Sequence, residues 1–453
     1  MNSFSKETLR FFKEINNIPR ESGNEAQISN YLVNFAKIHK LNYVKDKSKN
    51  IIIFKKNCEK EPIILQAHTD MVCVKNKNSN FDFKTDPIKI KKKFGYLCAE
   101  ETSLGADNGI GVAMILAILS SDLAVNIEAV FTVQEETTMF GANTINLAQL
   151  KSKKLLCLDG FCEDTIIVST AGFADFLVKF SNKKTKTDEK QYKYKITLSG
   201  LKGGHSGFDI DKNRGSSHKL IVTFLKMLKN FKLISINGGH NYNVIPSSTT
   251  VEILTSLNKN EVENIIKNFI KNYKKQYKNI TISIIEQPKS NEYLINGENL
   301  INFILNLNEG VIKRDKQNFK HSSLCLSEIN SASGNLKIGI RSSNNKYLIK
   351  ISNKLKDFCN KYKLNGNIQD SQPAFNTYSN SNLVKLLLKT NKKAKVDKLH
   401  IATECGIFQN RKKLDIAIIS PKIKNAHSTQ EKVKISTITS TINWLVKFLQ
   451  ECK

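Results

Sequence analysis

The chain runs to 453 residues, 40% hydrophobic and 25% charged, with 21 Gly and 7 Pro. At about 150 residues per domain this is material for two or three domains with real cores, which excludes a disordered chain and a small disulfide scaffold. The formal charge of +29 invites a polyanionic partner, yet the bases divide into 64 Lys and 6 Arg, and Arg is what bidentate phosphate or base contacts require. The excess therefore reads as a solvated Lys-rich surface, with no specific nucleic-acid partner.

At the start, Lys6, Glu7, Arg10, Lys13 and Glu14 stand where an export signal needs an apolar run. The best membrane candidate, Gly111 to Ser120, falls well short of the ~18 apolar residues that a spanning helix needs. Nine Cys, an odd number without a CxxC pair, suit reduced thiols in the cytoplasm and argue against thiolate zinc.

From Ile63 to about Glu189, short apolar strands each run into a polar cluster and then a helical stretch. Pro62-Ile-Ile-Leu-Gln-Ala67 leads to His68, Ile127-Glu-Ala-Val-Phe-Thr-Val133 to Glu135 and Glu136, and Leu155-Leu-Cys-Leu158 to Asp159. Asn108 to Ser120 reads as a buried helix. Such a pattern predicts an α/β layer with a mostly parallel central sheet flanked by helices.

From about Gln191 the style changes. Tyr192 to Leu198 and Thr249 to Leu257 alternate with period two, while Val262, Ile265, Ile266, Phe269, Ile270 and Tyr273 fall on one helical face. Helices near His218 to Lys232 and Lys346 to Tyr362 complete a β-α-β-β-α-β-like set. After Thr377 the first style returns, with a helix (Asn382 to Thr390), a strand (Asp415 to Ser420), His427 and a final helix from Ser436 to Gln450. The expected organisation is a discontinuous catalytic domain, 1–189 and 377–453, interrupted at 190–376 by an inserted α+β lid domain with an antiparallel sheet.

Acids and histidines cluster at the ends of the apolar strands, where open α/β sheets bind ligands. Taken singly, an acidic pair is usually solvated, an Asp before Asn-Gly is usually turn or cap chemistry, and a lone His is usually a loop residue. Five such sites on one sheet edge change that reading. Two His with several carboxylates and no Cys make a donor set suited to a pair of divalent ions such as zinc or manganese.

The order His68-Thr-Asp70-Met-Val, Leu104-Gly-Ala-Asp-Asn-Gly-Ile-Gly111, Glu135-Glu136, Asp159, Gly203-Gly-His-Ser-Gly207, Asn243-Val-Ile-Pro246 and Ala426-His427-Ser428 resembles that of the aminoacyl-histidine (Xaa-His, peptidase D type) dipeptidases, which are co-catalytic zinc peptidases. The resemblance spans Ile18-Pro-Arg-Glu-Ser-Gly23 through Glu404-Cys-Gly406 to the last helix. It implies two divalent ions, zinc first and manganese or cobalt as substitutes. Asp107 would bridge them, His68 and Asp159 would complete one, and Glu136 and His427 the other. Asp70 would hold the His68 ring and Glu135 would be the general base, with a cis peptide after Asp107.

His205, Asn243 and Arg341 would contact substrate: His205 at the scissile carbonyl, Asn243 at the peptide, Arg341 at the free carboxylate. Small peptides are the implied partners, along with a homodimer formed through the inserted domain. A tripeptidase or N-acyl amino acid deacylase would use the same centre, and an idle polyanion binder on this fold is the alternative of another class. Ala67, Gly160-Phe161, Ser420 and Asn425 depart from the family's usual residues, touching pocket shape rather than any ligand. His39, His218, His240, His321 and His400 default to structural or surface roles.

Overall fold

The computed structural model describes residues 3–452. It divides into two units. The first holds the chain up to Thr170, Phe375–Leu399 and everything from Thr403 on, and the second holds Ala171–Ala374 with His400–Ala402.

In the first unit a nine-stranded sheet runs in the order Asn42–Lys45, Ile51–Lys55, Ile127–Thr132, Ile63–His68, Lys154–Cys157, Asp415–Ile418, Thr165–Thr170, Phe375–Asn376, with Lys395–Leu399 also paired to Thr165–Thr170. Its centre is parallel: Ile63–His68 lies between Ile127–Thr132 and Lys154–Cys157, and Asp415–Ile418 continues beyond. Toward the edges Asn42–Lys45, Ile51–Lys55 and Phe375–Asn376 pair antiparallel, while Lys395–Leu399 lies parallel to Thr165–Thr170. Continuous apolar strands are what a sheet covered on both faces demands, and the period of two divides them. Ile51, Ile53, Ile63, Leu65 and Ala67 face one core with Phe11, Phe12 and Phe448. Ile52, Ile64 and Val130 face another with Ile407 and Phe408. Ala106–Leu119 is buried along its whole length, the position a helix apolar on every side must take.

A four-stranded sheet in the same unit orders Ile423–Lys424, Lys432–Lys434, Tyr96–Ala99 and Ile90–Lys93. Its first two strands form a hairpin whose connecting loop carries His427.

The second unit is built on a nine-stranded sheet with antiparallel pairings. The alternating burial of Gly172–Lys179 and Tyr192–Ser199 shows why one face suffices for its core. The helices Ser217–Met227, Lys259–Tyr273, Gly297–Asn306 and Asn345–Lys361 pack on this sheet, and their apolar residues join one core with Phe176, Ile196 and Ile338.

The chain enters this unit earlier than the change of style at Gln191 implies. The strand Gly172–Lys179 pairs with Asn335–Ser342 and Asn365–Gln372 in the second sheet. Its sequence GFADFLVK resembles the apolar strands before it, so composition does not mark the crossing.

Candidate functional site

Three adjacent parallel strands set the site. His68 ends the middle one, Glu135 and Glu136 follow one neighbour, and Asp159 follows the other. Asp107 lies at the start of Ala106–Leu119, which packs on the His68 strand, and the Asp107–Asn108 peptide is cis. His427 comes from the hairpin.

The carboxylate of Asp107 divides its oxygens between the two histidines. Oδ1 is 3.3 Å from His68 Nε2, and Oδ2 is 3.1 Å from His427 Nε2. Asp159 Oδ1 stands 3.7 Å from His68 Nε2, and Glu136 Oε2 stands 2.9 Å from His427 Nε2. Two clusters result, His68–Asp107–Asp159 and Asp107–Glu136–His427, each with donor atoms within 4.8 Å of one another. A third grouping of the same dimensions joins His68 with Glu135 and Glu136.

Asp70 is fully buried behind His68, with Oδ1 3.5 Å from the ring's Nδ1. Its carboxylate also accepts from Ser22 Oγ at 2.6 Å and from the backbone N–H groups of Glu135 at 3.0 Å and Glu136 at 3.2 Å. The ring's Nδ1 also lies 3.2 Å from the Asp70 backbone C=O, so this residue contacts both the ring and the backbone of the Glu pair. Nothing in its chemistry singles out Ser22; it belongs to the Ile18–Gly23 segment, which carries no acid-after-strand signal.

Burial opposes charge on all these groups, and their partners decide the outcome. Desolvation would lower His68, but Asp107, Asp159 and Asp70 hold it well above the usual imidazole range. The same contest, with Asp107 and Glu136, raises His427. Asp107 is held low by His427 and His68 despite its burial. Burial pushes Glu135 well up, raises Asp159, and takes Glu136 to about 7 with Asp107 adding to the shift.

Five carboxylates around two imidazoles is an anionic set that hydrogen bonds alone do not balance. Oxygen and imidazole donors converging on two points fit divalent cations of the zinc or manganese kind. Beneath the cluster lies a further acid that the strand-then-acid spacing does not reveal. Glu404 is buried, accepts from Gln66 Nε2 and Thr132 Oγ1 at 2.6 Å each, and is pushed to about 8 by burial. Its one signal is its place within Glu404-Cys-Gly406.

Gly160, Ser420 and Asn425, which depart from the resembled pattern, have local reasons. A Cβ at Gly160 would stand 2.8 Å from Ser420 Oγ, so glycine at one position makes room for serine at the other. Asn425 has φ +54°, a left-handed conformation that glycine adopts freely and asparagine tolerates. Ala67 is fully buried in its strand.

The second unit gathers the other three residues. Gly204–His205 pairs with Val244–Ile245, and Asn243 C=O accepts from Ser206 N–H at 2.7 Å. Arg341 Nε donates to Ser206 Oγ at 3.3 Å, while its guanidinium lies 4.4 Å over the Phe173 ring. Arg341 lies inside the strand Asn335–Ser342 and is 4% exposed, so it is no surface arginine. Burial lowers it to about 10, still cationic at neutral pH. His205 Nδ1 accepts from the N–H groups of Gly207 at 3.1 Å and Phe208 at 3.2 Å. With Nδ1 an acceptor, the neutral ring carries its proton on Nε2.

Comparison with known proteins agrees with this layout. The family model for peptidase family M20/M25/M40 matches residues 64–451. A curated relative, the cytosol non-specific dipeptidase of Escherichia coli strain K12, is 30% identical over 473 aligned residues, covering 97% of this chain and 96% of its own. The crystal structure of aminoacylhistidine dipeptidase from Vibrio alginolyticus superposes with a TM-score of 0.81 at 27% identity, over 99% of this chain and 96% of that one. A Staphylococcus aureus tripeptidase shares the fold, with a TM-score of 0.57 at 14% identity over 98% of each chain. With the match running from the His68 strand to the final helix, the chain belongs to peptidase family M20/M25/M40.

Proposed function

We propose that the protein is a cytosolic dipeptidase of broad specificity, Xaa-His peptides included, that works with two divalent ions, zinc first. One observation carries the reading: Asp107 offers one oxygen to the side of each histidine, with a second acid beside each, Asp159 and Glu136. The names of the relatives support the substrate class. His68, Asp107 and Asp159 would hold one ion, and Asp107, Glu136 and His427 the other. Bound there, the ions would polarise the scissile carbonyl and acidify the attacking water.

The remaining steps belong to the chain. Asp70 keeps His68 Nε2 turned toward the centre. Glu135, whose proton affinity is raised by burial, takes the proton from the attacking water and delivers it to the leaving amine. In the second unit His205 offers Nε2–H to the oxygen of the scissile carbonyl, Asn243 holds the peptide, and Arg341 holds the substrate carboxylate. The resemblance also supports a homodimer formed through that unit, which light scattering measures.

The test is a panel of Xaa-His and other dipeptides, a tripeptide and an N-acyl amino acid. Each is assayed on protein stripped by a chelator and reloaded with zinc, manganese or cobalt. Dipeptide hydrolysis lost on stripping and regained on reloading is expected. A reloaded, folded protein that cleaves no dipeptide overturns the reading.

A further inference from the structure

Two buried charges outside the donor set meet on the loop that leads into Asp107. Arg20, one of six arginines in the chain, is 2% exposed. Its Nη1 donates to the carbonyls of Thr69 at 3.2 Å and Asp70 at 3.3 Å, and its Nη2 to Gly105 C=O at 2.6 Å and Asn16 Oδ1 at 3.2 Å. Met71 N–H returns a bond to Arg20 C=O at 3.1 Å. One guanidinium therefore ties the His68–Asp70 loop to the Asp107 loop.

Glu431, also 2% exposed, works from the other side. Its Oε2 accepts from the N–H groups of Leu104 at 2.8 Å and Gly105 at 2.9 Å, and its Oε1 from Asp107 N–H at 3.1 Å. Its own N–H donates to Ser428 C=O at 3.0 Å, anchoring it to the loop that carries His427. Gly105 is thus held at both its N–H and its C=O.

The glycines of Leu104-Gly-Ala-Asp-Asn-Gly109 follow from this arrangement. A Cβ at Gly105, where φ is +67°, would run into Arg20 Nη2, and one at Gly109 would stand 2.7 Å from the same nitrogen. The motif is shaped to admit a buried arginine.

We infer that Arg20 and Glu431 are positioning residues that lock the loops of His68, Asp107 and His427 into one frame, so that the two oxygens of Asp107 face two cations at once. The inference rests on the two-metal reading proposed above. Neither residue donates to the centre; both act through the backbone on which Asp107 stands. Partners of this kind, one step removed from a ligand, commonly alter metal affinity 10–100-fold.

The experiment titrates metal-free protein with Co²⁺ and follows both the binding isotherm and the ligand-field absorption, with no turnover involved. Glu431→Gln keeps the shape but turns an NH₂ toward one of the backbone donors. Arg20→Lys keeps the charge but cannot span four acceptors. Each is expected to bind at least one equivalent about 10–100-fold more weakly and to change the absorption band, in protein whose metal-free melting shows a folded state.

If Arg20→Lys does not fold, Gly109→Ala pushes on the same guanidinium from within a helix at ordinary φ, and the same weakening is expected. If Glu431→Gln does not fold, Glu431→Asp retracts the carboxylate by one methylene and is read in the same way. Folded variants that bind two equivalents with the parent's affinity and spectrum overturn the inference while leaving the two-metal reading intact. A folded parent that takes up no Co²⁺ overturns both.

Discussion

The two units treat buried histidines in opposite ways. In the first, His68 is wrapped by Asp107, Asp159 and Asp70 and held well above its ordinary range. In the second, His218 and His400 find hydroxyls instead: His218 Nδ1 meets Thr249 Oγ1 at 2.8 Å, and His400 Nε2 meets Ser323 Oγ at 2.8 Å. Burial lowers both to about 3, so they stay neutral across the physiological range. The difference is architectural. Parallel strands end together at one edge and bring the acids that follow them into one place, whereas the second unit supplies Ser and Thr from within its antiparallel sheet. A histidine acquires metal chemistry from the acids its topology collects, not from its own burial.

Removing the shared acid breaks the contrast most directly. Asp107→Ala leaves His68 and His427 without their common carboxylate, and any two cations without the charge between them. Elemental analysis should find at least one equivalent lost and dipeptide hydrolysis abolished. Two retained equivalents would contradict its bridging role.

Glu135→Gln sharpens the comparison by separating holding from turnover. Glu135 stands beside the ligands without being needed to hold an ion in the proposed scheme. Both equivalents should remain while kcat falls about 10²–10⁴-fold, because only proton transfer is removed. Turnover like the parent's in a fully loaded variant would end its role as base.

His205→Ala asks whether the second unit contributes to the same chemistry. The Nε2–H that its backbone contacts enforce is a donor suited to a developing oxyanion, and losing one such donor costs about 2.7–4 kcal/mol in kcat. Metal content should not change. If the protein is a dimer that shares this histidine between subunits, mixing inactive His205→Ala and Glu135→Gln protomers should restore part of the activity. Unchanged kcat in His205→Ala would return the residue to a structural role.

Much of the first unit's centre is legible in the amino-acid order alone. The strand-then-acid rhythm marks the edge where His68, Glu135, Glu136 and Asp159 meet, because parallel strands must end on the same side. The residues that support them have no such rhythm. Arg20 looks like any loop base and Glu431 like a loop acid; each matters only because its side chain reaches backbone groups far away in sequence. Glu404 is similarly hidden, at the start of a helix while its partners Gln66 and Thr132 lie on two strands far away in sequence. Arg341 reads as a residue beyond its strand, since it directly follows the apolar run Leu336-Lys-Ile-Gly-Ile340, whereas Ser206 and Phe173 give it a buried place inside it. Side-chain to backbone bonds over long separations leave no periodic trace.

The smallest expected effect tests the neutral histidines of the second unit. His218 is fully buried, and its proton affinity is lowered to about 3 against 6.5 in the unfolded chain, burial outweighing a backbone contact with Ser327. The unfolded chain therefore binds a proton first as the pH falls. Stability from this residue is complete above about pH 6.5 and declines below it, by up to about 1.4 kcal/mol per pH unit for one proton. His68 and His427, raised when folded, act with the opposite sign: their contribution is present below 6.5 and is lost as pH rises through their folded values. The slope of the parent mixes the two. Urea unfolding of metal-free protein at pH 7.5, 6 and 5 should instead be compared between the parent and His218→Gln, whose amide does not titrate. The variant is expected to be less stable throughout but to lose less stability between pH 6 and 5. Parallel slopes would mean that His218 takes up its proton in the folded protein as readily as in the unfolded one, and that burial among hydroxyls does not by itself keep a histidine neutral here.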